Sequence, residues 1–255
     1  MSIQKNDIPI LEYDDDPLAL IQPDHETLGL KLPKRAVFAF LGESVDRYAK
    51  AHGAKVVSRF ESATKDYPIY LLGEGGEEYC LVQAPVGSSA ATQILDWLFA
   101  YGVEKVISTG SCGALTECDE NTLLIPRRAL RDEGTSYHYL PPSRFVDLSE
   151  DALAAIEKTL RAHELPYLEV TTWSTDGFFR ETKEKVNYRK QEGCSTVEME
   201  CAGLAACAKM RGATFGQILF AADTLADVEH YDSRSWGKAS FEIALRLCIE
   251  AVLRL

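Results

Sequence analysis

Several features that would assign a chain to other classes are missing from this sequence. No stretch approaches the roughly 18 to 20 uncharged apolar residues needed to cross a bilayer, so none of the 255 residues is predicted to lie in a membrane. The N-terminal segment carries Glu12, Asp14, Asp15 and Asp16, whereas a secretory signal begins basic and continues apolar. We therefore expect a cytoplasmic protein that does not bind membranes.

Basic residues are also scarce. The chain has 27 Lys and Arg against 39 Asp and Glu, which gives a formal net charge of −12. A general nucleic-acid surface needs clustered Lys and Arg, so nucleic acid is not an expected partner. Any anionic ligand must be bound by a few local donors.

The cysteines lack the pairing that disulfides or zinc sites require. There are seven, an odd number, with no C-x-x-C pair and no His and Cys cluster at zinc-finger spacing. Such cysteines are typically reduced and buried as small apolar side chains. We predict no metal site and no organic cofactor.

What the chain does contain is a regular alternation of short apolar runs and helical patterns. With 46% hydrophobic residues, it is long enough to bury the core of one domain. The runs predicted as strands are 36–41, 69–72, 79–82, 103–108, 123–125, 167–171 and 215–221; the predicted helices are 88–101, 149–162, 201–211 and 238–255. This alternation is typical of one α/β domain with a largely parallel or mixed sheet covered on both faces. We assign it to residues 34–255, preceded by an extended, Pro- and Asp-rich arm over 1–33.

In sheets of this kind ligands bind where strands end, and residues 107–114 form the first such place. A strand is predicted to enter a loop containing Gly110, Ser111 and Gly113. Glycines let the backbone approach a ligand, and successive amides with the Ser111 hydroxyl would bind an anion. The alternative is a tight connection without function.

The second place is residues 196–204, where a strand is predicted to pass into an Ala-rich helix. A carboxylate, Glu198 or Glu200, fixed there would bind the vicinal hydroxyls of a ribose and stabilise a developing oxocarbenium ion. Met199 between them would pack on the sugar. The alternatives are that both carboxylates only favour the helix N-terminus, and that Met199 only fills the core.

The third place is the end of the apolar strand 215–221, which is followed by Asp223. An acid where a buried strand opens to a cleft is a candidate for a raised pKa and for protonating a leaving group. The alternative is that Asp223 caps a turn or helix.

Taken together, V-E-M-E-C-A-G-L, the G-S-C-G-A segment and the strand before Asp223 resemble the nucleoside phosphorylases of the trimeric and hexameric type, from about residue 36 to the last helix. The resemblance implies one α/β domain with a central mixed, partly barrel-like sheet flanked by helices. It also implies that Ser111 binds phosphate, Met199 and Glu200 contact ribose, Phe178 stacks on the base, and Asp223 protonates a purine at N7. His25 resembles the histidine that reaches the ribose site of a neighbouring subunit.

The sequence departs from that family at the phosphate. Family phosphorylases carry an arginine where this chain has Ser108, and their first glycine-arginine loop is matched only by Gly42 and Arg47, with Arg47 one place late. Phosphate needs fixed cationic partners. Arg127, Arg128 and Arg131 would supply replacement charge, or form a solvated basic face.

The resemblance therefore predicts a pentosyltransferase that cleaves a purine nucleoside with phosphate as co-substrate, giving free base and ribose 1-phosphate. Glu200 and Asp223 would be catalytic, and Gly42, Arg47 and Ser111 would bind phosphate. A nucleosidase using water is one alternative, suggested by Ser108, and a non-catalytic nucleoside-binding protein is another. The resemblance also implies a homo-oligomer, either a dimer or a hexamer built as a trimer of dimers.

Overall fold

The computed structural model describes residues 3–255, so the first two residues of the predicted arm lie outside it. This part of the chain forms ten strands and six α-helices. The strands are β1 (Arg35–Ala39), β2 (Lys55–Glu61), β3 (Asp66–Glu74), β4 (Glu77–Gln83), β5 (Lys105–Ala114), β6 (Leu123–Asp132), β7 (Phe145–Asp147), β8 (Tyr167–Thr175), β9 (Cys194–Glu198) and β10 (Thr214–Thr224). The helices are α1 (Glu43–Ala51), α2 (Ser88–Ala100), α3 (Glu150–Ala162), α4 (Lys183–Gln191), α5 (Cys201–Met210) and α6 (Phe241–Leu253). Over residues 3–255 no helix has the length and apolar character needed to cross a membrane.

All ten strands belong to one mixed sheet, part of which closes on itself. The strand order is β10-β6-β8-β9-β5-β1-β4-β3-β2, with β7 beside β6, and β10 also pairs with β5. The second pairing of β10 joins five strands, β5, β9, β8, β6 and β10, into a closed circuit. The remaining strands extend from β5 through β1 as an open, twisted sheet, which confirms the mixed, partly barrel-like sheet expected from the sequence.

Apolar strands and helices pack into one main core because the central strands are covered on both faces. Strand β10 is buried along nearly its whole length, as expected for a continuous apolar run. Helices α2 and α5 pack together, as do α3 and α6, and both α5 and α3 contact β10. The four helices expected from the sequence are confirmed, with ends that differ by at most three residues.

Strand β5 continues through the segment expected to be a loop, and this part of the prediction is wrong. Gly110 and Ser111 lie in the parallel ladder with β10, and Gly113 pairs with Val197 of β9. The glycines permit close packing: a Cβ on Gly110 would lie 3.0 Å from the Cβ of Phe40. Here glycine marks a close neighbour of the strand, not a turn.

Residues 3–33 carry one short 3-10 turn, Pro9–Leu11, and otherwise run as irregular chain over the surface. Within the described residues, three hydrogen bonds attach this arm to the body. Glu26 accepts from the Trp97 indole at 3.1 Å, the carbonyl of Pro17 accepts from Arg211 at 3.2 Å, and the Leu32 amide donates to Tyr101 at 2.8 Å.

Candidate active site

A cavity of about 390 Å³ opens where β5, β9 and β10 end, and it gathers most of the residues singled out in the sequence. Its lining residues are Phe40, Val86, Gly110, Ser111, Cys112, Gly113, Phe178, Glu181, Val197, Glu198, Met199, Glu200, Gln217, Asp223 and Trp236. A second cavity of about 610 Å³ shares Phe178, Glu181, Asp223 and Trp236 with it. The two cavities are adjacent, with the shared residues between them.

Glu198 is anchored at the end of β9 by four donors. Its Oε1 accepts from the Ser174 hydroxyl at 2.5 Å and from Thr172 at 3.3 Å. Its Oε2 accepts from the backbone N–H groups of Glu200 and Cys201 at 2.7 and 2.6 Å. The carboxylate thus satisfies donors at the start of α5, which the helix dipole favours. Burial raises the pKa of Glu198, and these hydrogen bonds oppose that rise.

Glu200 immediately precedes α5 and is less completely engaged. Its Oε1 accepts from the Gly87 N–H at 2.6 Å, which ties it to the start of α2. Gly87 has φ 97°, a conformation that favours glycine. Burial first, and the neighbouring charge of Glu198 second, raise the pKa of Glu200. A buried carboxyl beside a carboxylate, facing a cavity, is suited to bind vicinal hydroxyls.

Asp223 lies near the end of β10, where the ladder with β5 is irregular between Ala221 and Thr224. Such a bulge re-aims a side chain and is common beside active sites. A Cβ on Gly113 would lie 3.4 Å from the Asp223 carboxylate and 3.0 Å from Leu225 and Val197, so the site needs glycine there. Burial raises the pKa of Asp223, while its own N–H, the Tyr231 hydroxyl and the Arg234 charge lower it. The net shift is upward, which favours a proton donor.

The remaining expected contacts for sugar and base also line the cavity. Met199 lies between the two glutamates, and Phe178 stands at the rim, 43% exposed. The Phe178 ring packs edge-on against Phe179 with centroids 4.9 Å apart. An exposed aromatic face at the mouth of a cavity is available for stacking on a planar base.

The residues expected to bind phosphate are divided between two places. Ser111 lines the cavity with Glu200 and Asp223. Arg47 instead lines a different cavity, between α1, β3 and α6, where it donates to the Ser44 hydroxyl at 2.7 Å. Gly42, with φ 54°, immediately precedes α1. The structure therefore does not bring Arg47 and Ser111 to one cavity of this chain.

The other arginines considered as replacements are engaged elsewhere. Arg127 forms ion pairs with Glu150, Glu157 and Glu169, and Arg128 lies over the Phe145 ring. Arg131 is buried and donates to Ser136, Leu140, Pro141 and Ser143. Among the described residues, none of those lining the cavity is Lys, Arg or His, and four are acidic.

His25 lies on the arm and does not line the cavity of its own chain. Its ring is exposed, and Nδ1 lies 2.9 Å from the Gln22 carbonyl. Its expected role at a neighbour's ribose stays a prediction.

Three lining residues with polar groups were not predicted as site residues from the sequence. Glu181 and Trp236 border both cavities, and Gln217 lies deep in the first. The Gln217 amide oxygen is buried and has no hydrogen-bond partner within residues 3–255. Trp236 has φ 60°, an uncommon conformation that tends to occur at functional sites. Of these three, only Gln217 could have been predicted from the sequence. It is a lone polar residue in an apolar run, and a buried polar group normally has a partner.

Comparison with known proteins places these features in context. A family model described as "Phosphorylase superfamily" matches residues 34–254. A guanosine phosphorylase of Halorubrum lacusprofundi is 25% identical over 210 residues, which cover 78% of this chain and 85% of the relative. A DeoD-type purine nucleoside phosphorylase of Dichelobacter nodosus is 28% identical over 162 residues, covering 61% of this chain and 66% of the relative.

Solved structures share the fold. An AMP nucleosidase of Bacteroides thetaiotaomicron superposes with TM-score 0.71 and 23% identity, covering 90% of this chain and 91% of that one. A uridine phosphorylase of Vibrio fischeri superposes with TM-score 0.76 and 19% identity, covering 89% and 95%. The same architecture thus occurs in proteins named for hydrolysis and in proteins named for phosphorolysis.

Proposed function

The chain belongs to the phosphorylase superfamily, and from this premise we propose that it cleaves the N-glycosidic bond of a purine nucleoside. The observation that carries the proposal is the grouping of Glu200, Asp223 and Phe178 around one cavity. Glu200 can accept hydrogen bonds from hydroxyl groups, Asp223 can donate a proton, and Phe178 can stack on a planar ring. Each suits a different part of a nucleoside.

The proposed chemistry follows from where charge develops. As the bond between C1′ and N9 breaks, the ribose becomes an oxocarbenium-like cation and the purine gains electron density. The Glu198 and Glu200 carboxyls are both buried, and the charge of Glu198 raises the pKa of Glu200. The negative charge of this pair stabilises the positive charge that develops on the sugar. Asp223, whose pKa is raised by burial, gives its proton to N7 of the departing base.

Water is the nucleophile that the charge of the cavity favours. Phosphate needs cationic donors to bind it and to offset its charge, and no cation of the described chain lines this cavity. Apart from the carboxyls, its lining offers neutral polar groups, including the Ser111 hydroxyl and the unpartnered Gln217 amide oxygen. Water would add its oxygen to C1′ and pass a proton to the carboxyl pair, leaving free ribose.

Phosphorolysis is the second candidate, and a different observation favours it. The two relatives compared above are named guanosine phosphorylase and purine nucleoside phosphorylase. In addition, Ser111 is exposed to the cavity. An arginine from a second copy of the chain, in the predicted homo-oligomer, would then have to supply the missing charge. The products would be free base and ribose 1-phosphate.

Product analysis separates these candidates. Adenosine, inosine, guanosine and uridine are incubated with the protein, with and without millimolar phosphate, and the sugar product is identified. Free ribose without phosphate supports the nucleosidase, and ribose 1-phosphate that forms only with phosphate supports the phosphorylase. Saturable nucleoside binding without any product would support a non-catalytic binding protein and contradict both.

A further inference from the structure

Glu181 is a carboxyl group at the site for which the chemistry described above has no role. It follows the 3-10 turn Phe178–Arg180 and lies just before α4. It lines both cavities, as Asp223 does. Within residues 3–255 its carboxyl forms no hydrogen bond and no ion pair, unlike Glu198 and Glu200.

The surroundings of this carboxyl disfavour its charge but leave it open to a ligand. Burial first, and the charge of Asp223 second, raise the pKa of Glu181 to about 7, and Lys185 opposes that rise. The Lys185 ammonium is already paired with Asp132 at 2.7 Å. Glu181 is partly buried and lines both cavities, so its carboxyl is free to accept from a ligand that occupies them.

Glu181 and Asp223 line the same two cavities, and the charge of Asp223 makes ionisation of Glu181 less favourable. With one proton between them, the two carboxyls would present one donor and one acceptor. The edge of a purine that carries N7 presents the complement only when C6 bears an amino group: N7 accepts and the amino group donates. A 6-oxopurine presents two acceptors on that edge. The pair therefore has the pattern of a 6-aminopurine.

We propose that Glu181 and Asp223 together select 6-aminopurine nucleosides: the bound base places the proton of the pair on Asp223, which donates it to N7, and leaves Glu181 ionised to accept from the amino group at C6. This inference rests on the proposed cleavage of a purine nucleoside and names its base. A 6-oxopurine would direct its carbonyl oxygen at the Glu181 carboxylate, so it would bind less well and react more slowly. Phe178, which lines the same two cavities, stacks on the ring.

The test compares kcat/KM for adenosine and inosine in the wild type, in Glu181→Gln and in Glu184→Gln. Glu184 is an exposed residue in the first turn of α4 that lines neither cavity, so it is the matched control. We expect the wild type and the control to prefer adenosine by about tenfold or more, the scale expected when a hydrogen-bonding group is left without a partner. In Glu181→Gln the preference should fall about tenfold, because an amide accepts from an amino group and donates to a carbonyl equally well.

Each outcome is decisive. If the wild type cleaves both nucleosides and Glu181→Gln leaves the ratio unchanged, the inference is overturned while the proposed function stands. Preference of the wild type for inosine overturns it as well. If the wild type cleaves no nucleoside, the proposed function fails and this inference fails with it.

A second measurement needs no variant and so does not depend on the folding of Glu181→Gln. Adenine and hypoxanthine, the two bases released, are titrated as ligands of the wild-type protein by calorimetry. We expect adenine to bind about tenfold more tightly, because hypoxanthine would leave hydrogen-bonding groups without partners. Equal affinities, or tighter binding of hypoxanthine, would contradict the assignment.

Discussion

At the scale of single residues, the site divides its carboxyl groups by their surroundings. Burial raises the pKa of both Glu198 and Asp223, but their partners differ. Glu198 accepts four hydrogen bonds that hold it at the start of α5, whereas the raised pKa of Asp223 favours the protonated form of a carboxyl that lines the cavity. The proposed mechanism accordingly uses Asp223 as the proton donor and keeps Glu198 as an acceptor.

Replacing the donor tests this division. Asp223→Asn should lower kcat for purine nucleosides by about 10²- to 10⁴-fold, the usual contribution of a general acid, with a smaller effect on KM. In the wild type, activity should be retained below the raised pKa of Asp223 and fall as pH rises through it, because only the protonated acid can donate. The variant should lack that fall.

Asp151→Asn is the matched control, since Asp151 is exposed in the first turn of α3 and lines neither cavity. It should leave kcat and the pH profile unchanged. An Asp223→Asn protein that keeps wild-type kcat would remove Asp223 from the mechanism.

Glu200 is tested by changing the substrate together with the side chain. If Glu200 binds ribose hydroxyls, Glu200→Gln should lower kcat/KM for adenosine about 10- to 100-fold, the scale of a hydrogen bond to a charged group. The loss should be smaller for 2′-deoxyadenosine, which has already lost one hydroxyl. Equal losses on the two substrates would instead mean that Glu200 acts only through its bond to Gly87.

At the scale of elements, the ribose side of the site depends on how closely α5 approaches α2. A Cβ on Gly203 of α5 would lie 2.7 Å from the Ser88 hydroxyl oxygen and 3.0 Å from that of Thr92, both on α2. The two helix N-termini therefore meet, and the bond from Gly87 to Glu200 spans them. Glycine here serves the contact between helices, against its own poor helix propensity.

Gly203→Ala should therefore destabilise the protein by about 1 to 2 kcal/mol through overpacking, even though alanine favours a helix by about 1 kcal/mol. Because α5 carries Glu200 at its start, KM for nucleoside should rise as well. Urea unfolding and initial rates measure the two effects. Gly73→Ala is the control: its Cβ would meet only the Glu77 carbonyl at 3.6 Å, an ordinary contact, so little change is expected. A more stable Gly203→Ala protein with unchanged KM would contradict this packing argument.

The elements that could be predicted from the sequence are those whose pattern reflects burial. Strand β10 and helix α5 have apolar runs that packing alone demands, and both were expected. Helix α4 was missed because it is polar on most sides, with only Val186 and Arg189 buried, although Thr182 caps it by accepting from the Lys185 N–H. Edge strand β2 was missed because it buries no residue fully.

The site itself was only partly predictable for a related reason. Glu200 and Asp223 follow apolar strands, so their position at a sheet edge can be inferred from the chain. Glu181 does not follow a strand directly, because the 3-10 turn Phe178–Arg180 separates it from β8. It lines the cavities beside Asp223 only because β8 and β10 belong to the same closed circuit of strands. The separation of Arg47 from Ser111 likewise depends on the direction in which α1 leaves β1.

At the scale of the whole molecule, the site lies where the closed circuit of strands meets the open part of the sheet. Strand β5 belongs to both parts, since it pairs with β1, β9 and β10. A single cavity thereby receives residues from β5, β9, β10 and the segment after β8. The architecture is shared with hydrolases and phosphorylases alike, so the lining, and not the fold, determines the chemistry.

The charge of that lining bears on whether water or phosphate attacks the sugar. Four acidic and no basic residues of the described chain line the cavity, and phosphate binds best beside cationic donors, which is why we propose water as the nucleophile. In the predicted homo-oligomer, a second copy is one source of a cation for phosphate. The arm that carries His25 is bound to the body by Glu26 and Leu32. The role of His25 at the ribose site of a neighbouring subunit stays a prediction.

Cleavage of the purine N-glycosidic bond can be tested by following adenine release from adenosine in phosphate-free buffer, with the wild type and Asp223→Asn side by side. We expect the wild type to release adenine and free ribose in equal amounts, and the variant to be slower by at least about a hundredfold. If adenine is released only after phosphate is added, the proposed cleavage stands, but the nucleophile is phosphate and not water. No release of base from adenosine, inosine or guanosine under either condition would contradict the account.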